Sequence, residues 1–528
     1  MMPTAITTRL DLSRYRAASG QVGRILRLPI GRVMLCAVVL NAAQAASAQS
    51  VVVQPAVQVR SVTTNNVSFA EAEVARSDSV LIVTPRLDVL TVNPGYRLNA
   101  SLAADAVTYL GRSQADRLLP RAQADLTAQL VERWLFVDGR LSADTTAGNP
   151  FGVLEDESST IFNRTTVYRQ RISPYVEREL SPRERLQLRT DHSWFQNRNA
   201  GGTDTRIDTY LLSQRASYEL RPQPLGLRAE YTRDSSDYSN LPDSSVLFET
   251  ARLSAMYEAA PQLVLTLTAG SDHARYSGID QRETLRGFGL RWEPSERTSV
   301  GALVEKRFFG TGWAVNLAHR APFLVLNADM QRRSTTYAAQ VAALPAGGDV
   351  AQLLDSLLST RITNPVERAT AVQQLIAQRG LPATLASALD LFSPSAQLLN
   401  SASLSAALLG VRHTITLRGF YDRTEDLIGV NPPPLFSSNA RQYGASLGMT
   451  RRLQPDATAD FSLTRSRVVG FGTNAGVVTN NLSVRFGASR QLSLRTTVSA
   501  ALRRQWVDST AVTNANQTAL SFGLLHRF

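Results

Sequence analysis

The sequence predicts an all-β chain that folds as a transmembrane antiparallel β-barrel of about 18–20 strands with a helical loop insert. Three observations predict this. Apolar and polar residues alternate along many segments of the 528-residue chain, short proline-containing turns alternate with longer polar loops, and the chain stops at Phe528 after a strand-like segment. Hydrophobic residues make up 43% of the chain, yet the mean hydropathy is slightly negative. Strands with an apolar residue at every second position have this composition.

The segment from Gln517 to Phe528 has the pattern of a closing barrel strand. Side chains of an extended chain point alternately to two sides, and here one side is apolar and the other mostly polar. The apolar side holds Leu520, Phe522, Leu524 and Phe528. The other side holds Ser521, Gly523 and Arg527. Bacterial outer-membrane barrels usually end on an aromatic residue that the barrel-assembly machinery recognises. We therefore expect Phe528 to be an assembly signal and that machinery to be a partner.

Residues 1–48 are predicted to be a secretory signal peptide. A basic stretch is followed by the apolar run Val33–Leu40 and by the small-x-small cleavage pattern Ala46-Ser47-Ala48. The apolar run is too short for a membrane-spanning helix. Cys36 is the only cysteine, so a processed chain can form no disulfide. Residues 49–78 are polar, and we expect a mobile periplasmic leader there.

Segments with a period of two recur through residues 79–528, the predicted barrel. One such segment alternates Leu482, Val484 and Phe486 with Ser483, Arg485 and Gly487. A second, 492–500, carries Arg495 on its polar side. A period of two excludes a helix, and charged residues on the second face favour a wet barrel interior over a soluble sandwich.

The connections support a barrel that crosses the outer membrane of a Gram-negative bacterium. Short turns such as Ser181-Pro182-Arg183 lie between longer polar loops such as 274–281 and 425–438, which matches periplasmic turns and extracellular loops. About 21 segments qualify as strands, an odd number that conflicts with both termini lying in the periplasm. The pair 80–92 and 95–110 is the weakest, which gives the prediction of about 18–20 strands.

Residues 340–398 interrupt the alternation with an Ala- and Leu-rich insert. Asn364-Pro365-Val366-Glu367 has the pattern of a helix N-terminus, and Gly380 with Pro382 ends the run. Further short helices are expected within 349–359 and 383–392. Counting loops back from the C-terminus places the insert outside the cell. It is either a surface cap over one rim or a plug that folds into the mouth and gates it.

No motif in the chain indicates an enzyme or a cofactor. Gly444-Ala445-Ser446-Leu447-Gly448 has the spacing of a nucleophile elbow, but it lies inside an alternating strand rather than at a strand-to-helix turn. None of the five histidines has the spacing of a metal site. The net charge of +12 comes without a basic cluster or aromatic platform for nucleic acid. We therefore predict a non-enzyme with no cofactor, metal or nucleic-acid partner.

Arginines on polar positions of the predicted strands are the candidate functional residues. Charge is costly on the lipid side of a barrel near mid-bilayer, so these side chains should point into the lumen or snorkel to a rim. They are Arg189, Arg228, Arg418, Arg485, Arg495, Arg503 and Arg527. Two alternatives stay open. The arginines could form a positive strip that favours anions, or the nearby carboxylates could neutralise them; those carboxylates are Glu230, Asp191, Asp329 and Asp460.

Several stretches resemble the PEP-CTERM system-associated outer-membrane barrel family, found beside exosortase sorting and extracellular polysaccharide loci. The stretches that carry the resemblance are Val83-Thr84-Pro85-Arg86-Leu87, Leu98-Asn99-Ala100-Ser101-Leu102 with Tyr109, Leu130-Val131-Glu132-Arg133-Trp134-Leu135-Phe136, Ser173-Pro174-Tyr175 and Asn364-Pro365-Val366-Glu367-Arg368-Ala369. The resemblance spans about 75–520 and implies no catalytic or binding residue. It implies an association with exopolysaccharide or PEP-CTERM protein export.

The sequence thus predicts a porin-like or export-associated channel in the outer membrane. Its expected surroundings are outer-membrane lipid and lipopolysaccharide, and its expected cargo is anionic polysaccharide or components of PEP-CTERM export. The alternative is a non-conducting barrel that serves as a surface anchor or assembly partner. An outer-membrane hydrolase is a third, weaker reading, because it would need partners from separate strands.

Overall fold

A computed structural model describes residues 51–147, 151–152, 164–199, 208–239, 245–343, 349–359, 362, 368, 371–372, 393–427, 438–511 and 514–528. The predicted signal peptide, 1–48, lies outside these residues. Among them, 22 strands form a single antiparallel sheet in which each strand pairs with the next along the chain. This confirms the predicted all-β barrel.

The strands have 10 to 18 residues, enough to cross a bilayer, which takes about 9–11 tilted residues. Their bounds are β1 (Val51–Thr64), β2 (Asp78–Val92), β3 (Tyr96–Tyr109), β4 (Arg117–Val131), β5 (Leu135–Ala147), β6 (Arg164–Ser181), β7 (Glu184–Asn199), β8 (Asp208–Leu220), β9 (Leu225–Tyr238), β10 (Val246–Ala260), β11 (Leu263–Tyr276), β12 (Ile279–Ser295), β13 (Thr298–Arg307), β14 (Gly310–Arg320), β15 (Leu324–Thr335), β16 (Gln397–Leu409), β17 (His413–Asp426), β18 (Ala440–Gln454), β19 (Ala457–Gly470), β20 (Val478–Gln491), β21 (Thr496–Ser509) and β22 (Ala515–Arg527).

The barrel closes where the first strand pairs with the last. The β1–β22 ladder runs from Ala56 opposite Arg527 to Thr64 opposite Ala519. The prediction of a mobile leader over 49–78 is therefore wrong for β1, which is part of the wall. The physical reason is closure: without β1, both β2 and β22 would expose an unpaired edge in lipid. The predicted count of 18–20 strands is too low, and the weakest predicted pair consists of two real strands, β2 and β3.

Both ends of the strand series lie at the same end of the barrel, which carries the short turns. We take this end as periplasmic, because short turns and long loops divide in this way in outer-membrane barrels. The predicted loop at 274–281 is instead a tight turn between β11 and β12. Its two residues, Ser277 (φ 45°) and Gly278 (φ 80°), both have positive φ, as a two-residue hairpin turn requires.

Two short α-helices interrupt the wall between β15 and β16: α1 (Tyr337–Ala343) and α2 (Asp349–Leu358). A 3-10 turn, Gly472–Asn474, follows β19. In the part of the chain that the structure describes, no helix has the length and apolar character needed to cross a membrane.

Removing the terminal residue tests the closing seam. The Phe528 N–H donates to the Pro55 carbonyl (3.0 Å), so this residue extends the ladder beyond Arg527. We expect deletion of Phe528 to lower the amount of folded barrel in the outer membrane, because the ring and this bond are both lost. The measurement is the heat-modifiable band in outer-membrane fractions. Phe528→Tyr keeps the backbone and an aromatic ring and should behave as wild type; full recovery of the deleted chain would contradict the assignment.

Candidate functional site

The two faces of the barrel wall differ in chemistry. Along β10, Thr250 and Ser254 are buried on the inner face, while Leu253 and Tyr257 are 54% and 50% exposed on the outer face. The same alternation places Leu267, Phe288 and Phe522 outside. A closed sheet with an apolar outer surface satisfies its backbone in lipid and presents lipid-compatible side chains. The protein is an outer-membrane β-barrel, and its candidate site is the lumen.

The lumen wall carries a buried ion-pair network on β10–β13. Arg307 contacts Asp272 through Nε–Oδ2 (2.7 Å) and Nη2–Oδ1 (2.8 Å). Arg252 contacts Glu305 through Nε–Oε1 (2.9 Å) and Nη2–Oε2 (3.0 Å). Both pairs are bidentate, a geometry that strengthens guanidinium–carboxylate contacts. Arg307 Nη1 also lies 3.6 Å from Glu305 Oε2, so the pairs form one network.

Arg189 lies in a second network, on β5–β7. Its Nε donates to Asp191 Oδ1 (2.8 Å) and its Nη1 to Asp138 Oδ2 (3.0 Å), and its guanidinium stacks over the Tyr175 ring at 4.8 Å. Arg140 Nε donates in the same way to Asp125 Oδ1 (2.8 Å). The predicted lumen position of Arg189 agrees with these contacts, and its charge is balanced by carboxylates.

Three further predicted arginines lie on the lumen face. Arg228 Nη2 lies 3.6 Å from Glu230 Oε2. Arg485 pairs with Asp460 and lies directly opposite Arg503 across β20 and β21. Arg503 donates to Gln517, an uncharged acceptor. The two arginines therefore place adjacent positive charges on this part of the wall.

Arg418 lies on the inner face of β17. It lies opposite Ser405 on β16 and Ser446 on β18, both of them buried. Its charge acts on Asp329 of β15. This position agrees with the predicted lumen face.

Two predicted lumen arginines lie instead at the periplasmic end. Arg495 is exposed in the turn between β20 and β21, so the predicted strand over 492–500 is wrong for its first four residues. Leu494, which alternates with Arg495 in sequence, is 91% exposed; a hairpin turn is needed here, and it overrides the alternation. Arg527 ends β22, is exposed, and donates its N–H to the Arg495 carbonyl (2.8 Å).

Apolar clusters line the extracellular part of the lumen. Inward-facing residues near the long-loop end form buried clusters with the loops above them. Val67 of the β1–β2 loop packs on Val80 and Ile82, and Phe308 of the β13–β14 turn packs on Phe248. Phe151, from the loop after β5, packs on Ala440 and Val468 of β18 and β19. The loops therefore fold inward over the mouth.

The loop after β5 reaches far across the mouth. The Phe151 carbonyl accepts a hydrogen bond from Thr479 Oγ1 of β20 (2.8 Å). Six strands lie between β5 and β20 along the shorter arc of the 22-stranded sheet. At about 4.8 Å between neighbouring strands, this contact spans a substantial chord of the opening.

The α2 helix packs on the inner wall close to the periplasmic end. Its residues Val350, Leu353, Leu354 and Leu357 form a buried cluster with Val325 and Ala407. Val325 is the second residue of β15, whereas the insert joins β15 at the opposite end, after Thr335. Met330, of the other parity on β15, is 46% exposed on the outer face, so Val325 faces inward. The insert therefore descends through the lumen.

Polar contacts accompany this docking. Arg320 Nη1, at the end of β14, donates to Ser359 Oγ (2.6 Å). Within the insert, Arg368 Nε donates to Asp355 Oδ1 (2.7 Å) and Nη1 to the Ile362 carbonyl (2.9 Å). The first contact ties the insert to the wall, and the other two hold its segments together.

The α1 helix occupies a different level, near the mouth. Tyr337, Ala338 and Val341 pack against Val167, Phe195 and Leu211 of β6–β8. Gln340 Nε2 donates to Gln397 Oε1 (2.5 Å) at the start of β16. The insert thus touches the wall at both ends of the lumen.

The predicted insert is confirmed in part. The helix expected within 349–359 is α2, whereas α1 is outside the predicted helices and begins before residue 340. Of the helix predicted after Asn364, only Arg368 and residues 371–372 are described, as helical; the one predicted within 383–392 lies outside the described residues. The insert joins the wall at its extracellular end, as predicted. The prediction is wrong for α2, which lies inside the barrel and not outside the cell. An amphipathic helix buries its apolar face, and the inner wall offers an apolar surface.

Sequence reasoning did not select Arg252, Arg307, Asp272 and Glu305, which form a largely buried charged network in the lumen. The signal was present: Thr250, Arg252 and Ser254 alternate with Ala251, Leu253 and Ala255. The cross-strand pairing that brings these charges together was not visible, because register depends on turns and closure. Among the described residues, no group of three or more His, Cys, Asp or Glu side chains could hold a metal ion.

Comparisons with known proteins bear on the fold. No family model matches the chain, and a search of curated proteins finds no match. Among solved structures, it is similar to the siderophore receptor PiuA from Acinetobacter baumannii, with 9% identity, a TM-score of 0.47, and 89% of this chain and 82% of that chain covered.

Two further solved structures are similar. The FrpB iron transporter from Neisseria meningitidis has 10% identity and a TM-score of 0.47, covering 90% of this chain and 82% of that one. OccAB4 from Acinetobacter baumannii has 9% identity and a TM-score of 0.35, covering 91% and 99%. At these identities the likeness concerns the fold.

The Asp272–Arg307 pair can be tested by a double-mutant cycle. Their side chains are 1% and 12% exposed, so Asp272→Asn leaves a largely buried guanidinium short of a carboxylate. We expect this variant to lose roughly 3 kcal/mol of unfolding free energy, with Asp272→Asn/Arg307→Gln less destabilised than the single variant. Urea unfolding of the refolded barrel gives the values. Additive losses would show that the two side chains are not coupled.

Proposed function

We propose that the chain is a plugged outer-membrane channel in which the insert between β15 and β16 controls passage through the barrel. The observation that carries this proposal is the docking of α2 on Val325 and Ala407, inside the barrel and near its periplasmic end. A segment that served only as a surface cap would have no contact at this depth. The proposal adds an internal gate to the porin-like channel that the sequence predicts.

The size of the barrel supports a channel rather than a solid β-core. Twenty-two strands spaced about 4.8 Å and tilted about 40° enclose a backbone circle roughly 40 Å across. Side chains that project from the wall cannot fill such a bore. Additional chain must occupy it or water must, and barrels of this size can hold a folded plug.

The second candidate is a non-conducting barrel with a permanent insert, acting as an anchor or assembly partner. The observation that favours it is the burial of α2, whose Val350 and Leu354 are completely inaccessible. Each fully buried aliphatic side chain contributes roughly 1.5–3 kcal/mol. Several together would make undocking rare unless a ligand or partner favours the open state.

The link to exopolysaccharide or PEP-CTERM export is a proposal that rests on the resemblance in sequence. An anionic polysaccharide would suit a lumen wall with adjacent arginines such as Arg485 and Arg503. Its test is the amount of surface polysaccharide and of sorted PEP-CTERM proteins in cells that lack this chain; unchanged amounts of both would remove the link and leave the channel proposal standing.

Excising the insert tests the gate. Thr335 and Gln397 are direct cross-strand neighbours, so a short Gly-Ser bridge can replace residues 337–395 without stretching the hairpin. We expect single-channel conductance in planar bilayers to rise, because the segment on the inner wall is removed. Equal, near-zero conductance with and without the insert would favour the non-conducting barrel.

Two point substitutions in α2 test the same gate in the intact chain, one as the test and one as its matched control. Leu354→Asp places a carboxylate in the buried cluster and should undock α2, which raises the conductance or the frequency of opening. Ser356→Asp adds the same charge to a partly exposed position of the same helix and should leave the traces unchanged. Identical behaviour of the two variants would show that α2 docking does not control passage.

The excised barrel should be weakly selective for anions. Arg485 and Arg503 lie side by side on the lumen wall, and fixed charge attracts counter-ions over a Debye length of about 10 Å at 0.1 M salt. Reversal potentials in a KCl gradient should move toward cations in Arg485→Gln/Arg503→Gln. Arg495→Gln is the control, because that side chain lies in a periplasmic turn. Cation selectivity of the parent barrel would contradict the prediction.

A further inference from the structure

Cations also lie on the outer face of the wall, in the extracellular half of β12 and β13. Lys306 is exposed between two inward-facing residues: Glu305 and Arg307 belong to the lumen network. Strand alternation therefore directs Lys306 to the outside. Arg286 is its direct cross-strand neighbour, and Arg282 lies on the same face of β12. We name Arg282, Arg286 and Lys306 the outer basic patch.

The patch lies at the extracellular edge of the lipid-facing apolar band. Phe288 and Val304, one step below Arg286 and Lys306 on the same face, are 47% and 51% exposed. Lys306 is eight residues above Thr298, where β13 begins. At about 3.3 Å per residue and a tilt of about 40°, this is roughly 20 Å above the periplasmic turns. Arg286 lies opposite Lys306, and Arg282, four residues further along β12, lies roughly 10 Å higher. The apolar band of such barrels is about 25 Å tall, so the patch spans its extracellular edge, at the outer-leaflet boundary.

The charges of the patch are not matched within the wall. Arg282, Arg286 and Lys306 are exposed and make no hydrogen bond or ion pair with any residue in the described ranges. The carboxylates nearest in register are already engaged: Glu249 Oε2 and Asp280 Oδ1 contact the two nitrogens of His273 at 3.2 and 2.8 Å. The lumen arginines of the same strands, by contrast, are paired.

The outer faces of other strands differ from the patch in their side chains. On the same outer face, β9 and β11 carry Arg233 and Arg275, whose charges act on Glu249 and Asp237, so they differ from the three cations of the patch. At a similar height on β7 and β8, the outer face instead carries stacked and tilted rings of His192, Trp194 and Tyr210. One sector of the barrel therefore presents unmatched positive charge at the membrane surface, and another presents the aromatic side chains usual at such a boundary.

We propose that the outer basic patch binds the phosphate groups of a phosphorylated glycolipid in the outer leaflet, the lipid A part of lipopolysaccharide. Guanidinium and ammonium groups at the boundary meet phosphate oxygens at headgroup level, while Phe288 and Val304 contact the acyl chains below. The patch is on the opposite face of the wall from the insert, so binding is independent of the proposed gate.

Binding is measured on the full refolded chain in a neutral detergent, titrated with bisphosphorylated lipid A and followed by native mass spectrometry. We expect saturable binding that weakens with salt. Arg282→Gln/Arg286→Gln/Lys306→Gln should lower the affinity by roughly tenfold to a hundredfold, given the contribution of each cation beside anionic headgroups.

The matched control removes the same charge from the outer face at the periplasmic end: Arg178→Gln/Arg451→Gln/Arg490→Gln should bind lipid A as wild type. Heat-modifiability on gels confirms that each variant is folded. If the triple variant does not fold, the single Lys306→Gln variant is titrated in its place, with a smaller expected loss of affinity. Wild-type affinity of a folded patch variant overturns the proposal. So does equal binding of dephosphorylated lipid A, and so does complete displacement by inorganic phosphate, which would make this a site for the free ion.

Discussion

Backbone hydrogen bonding in lipid is the constraint on which the rest of this structure depends. No water is available in the hydrocarbon layer, so every peptide group of the wall must pair with a neighbouring strand. The β1–β22 seam completes that pairing, and Phe528 and Asn65 extend it at its two ends through bonds to Pro55 and Thr518. Because every pair is antiparallel, closure requires an even number of strands and brings the start of β1 and the end of β22 to one end of the barrel. It also determines which strands become neighbours, and thereby which charges can meet inside.

In the closed barrel, successive side chains along a strand face two environments in turn: the lumen, and the lipid or its boundary. On β13, Glu305 lies in the buried lumen network, Lys306 lies at the lipid boundary, and Arg307 returns to the lumen. Three consecutive charged residues thus have different partners. Inside, arginine is neutralised by carboxylates on adjacent strands, since an unpaired buried charge is costly. At the outer boundary, water and headgroups solvate the charge, so no partner within the wall is needed.

The sequence was sufficient for the strands whose alternation is strong and for the closing strand before Phe528. It failed at β1, where Val51-Val52-Val53 does not alternate and Pro55 interrupts the run, so the short alternation of Val57 and Val59 with Gln58 and Arg60 was missed. The need of β2 and β22 for a partner identifies β1 as a strand. It also failed at Arg495, where a turn interrupts an apparently continuous pattern. Lumen orientation followed from parity for Arg189, Arg228, Arg418, Arg485 and Arg503. Their partners did not, because register is a property of the closed sheet.

The path of the insert through the lumen could likewise not be predicted from the sequence pattern. Val325 and Ala407 differ in no local feature from other small apolar residues on the inner face, yet they form the surface on which α2 rests. Isolated helices shorter than about 12–15 residues are marginal in water, and α2 has 10. Its helical form therefore depends on the wall, and undocking would remove most of what stabilises it. The polar tie from Arg320 to Ser359 is exchangeable for water at little cost, so the apolar cluster supplies most of the docking energy. Docking and folding of α2 are then a single transition, and an opened lumen would contain an unfolded segment rather than a displaced helix.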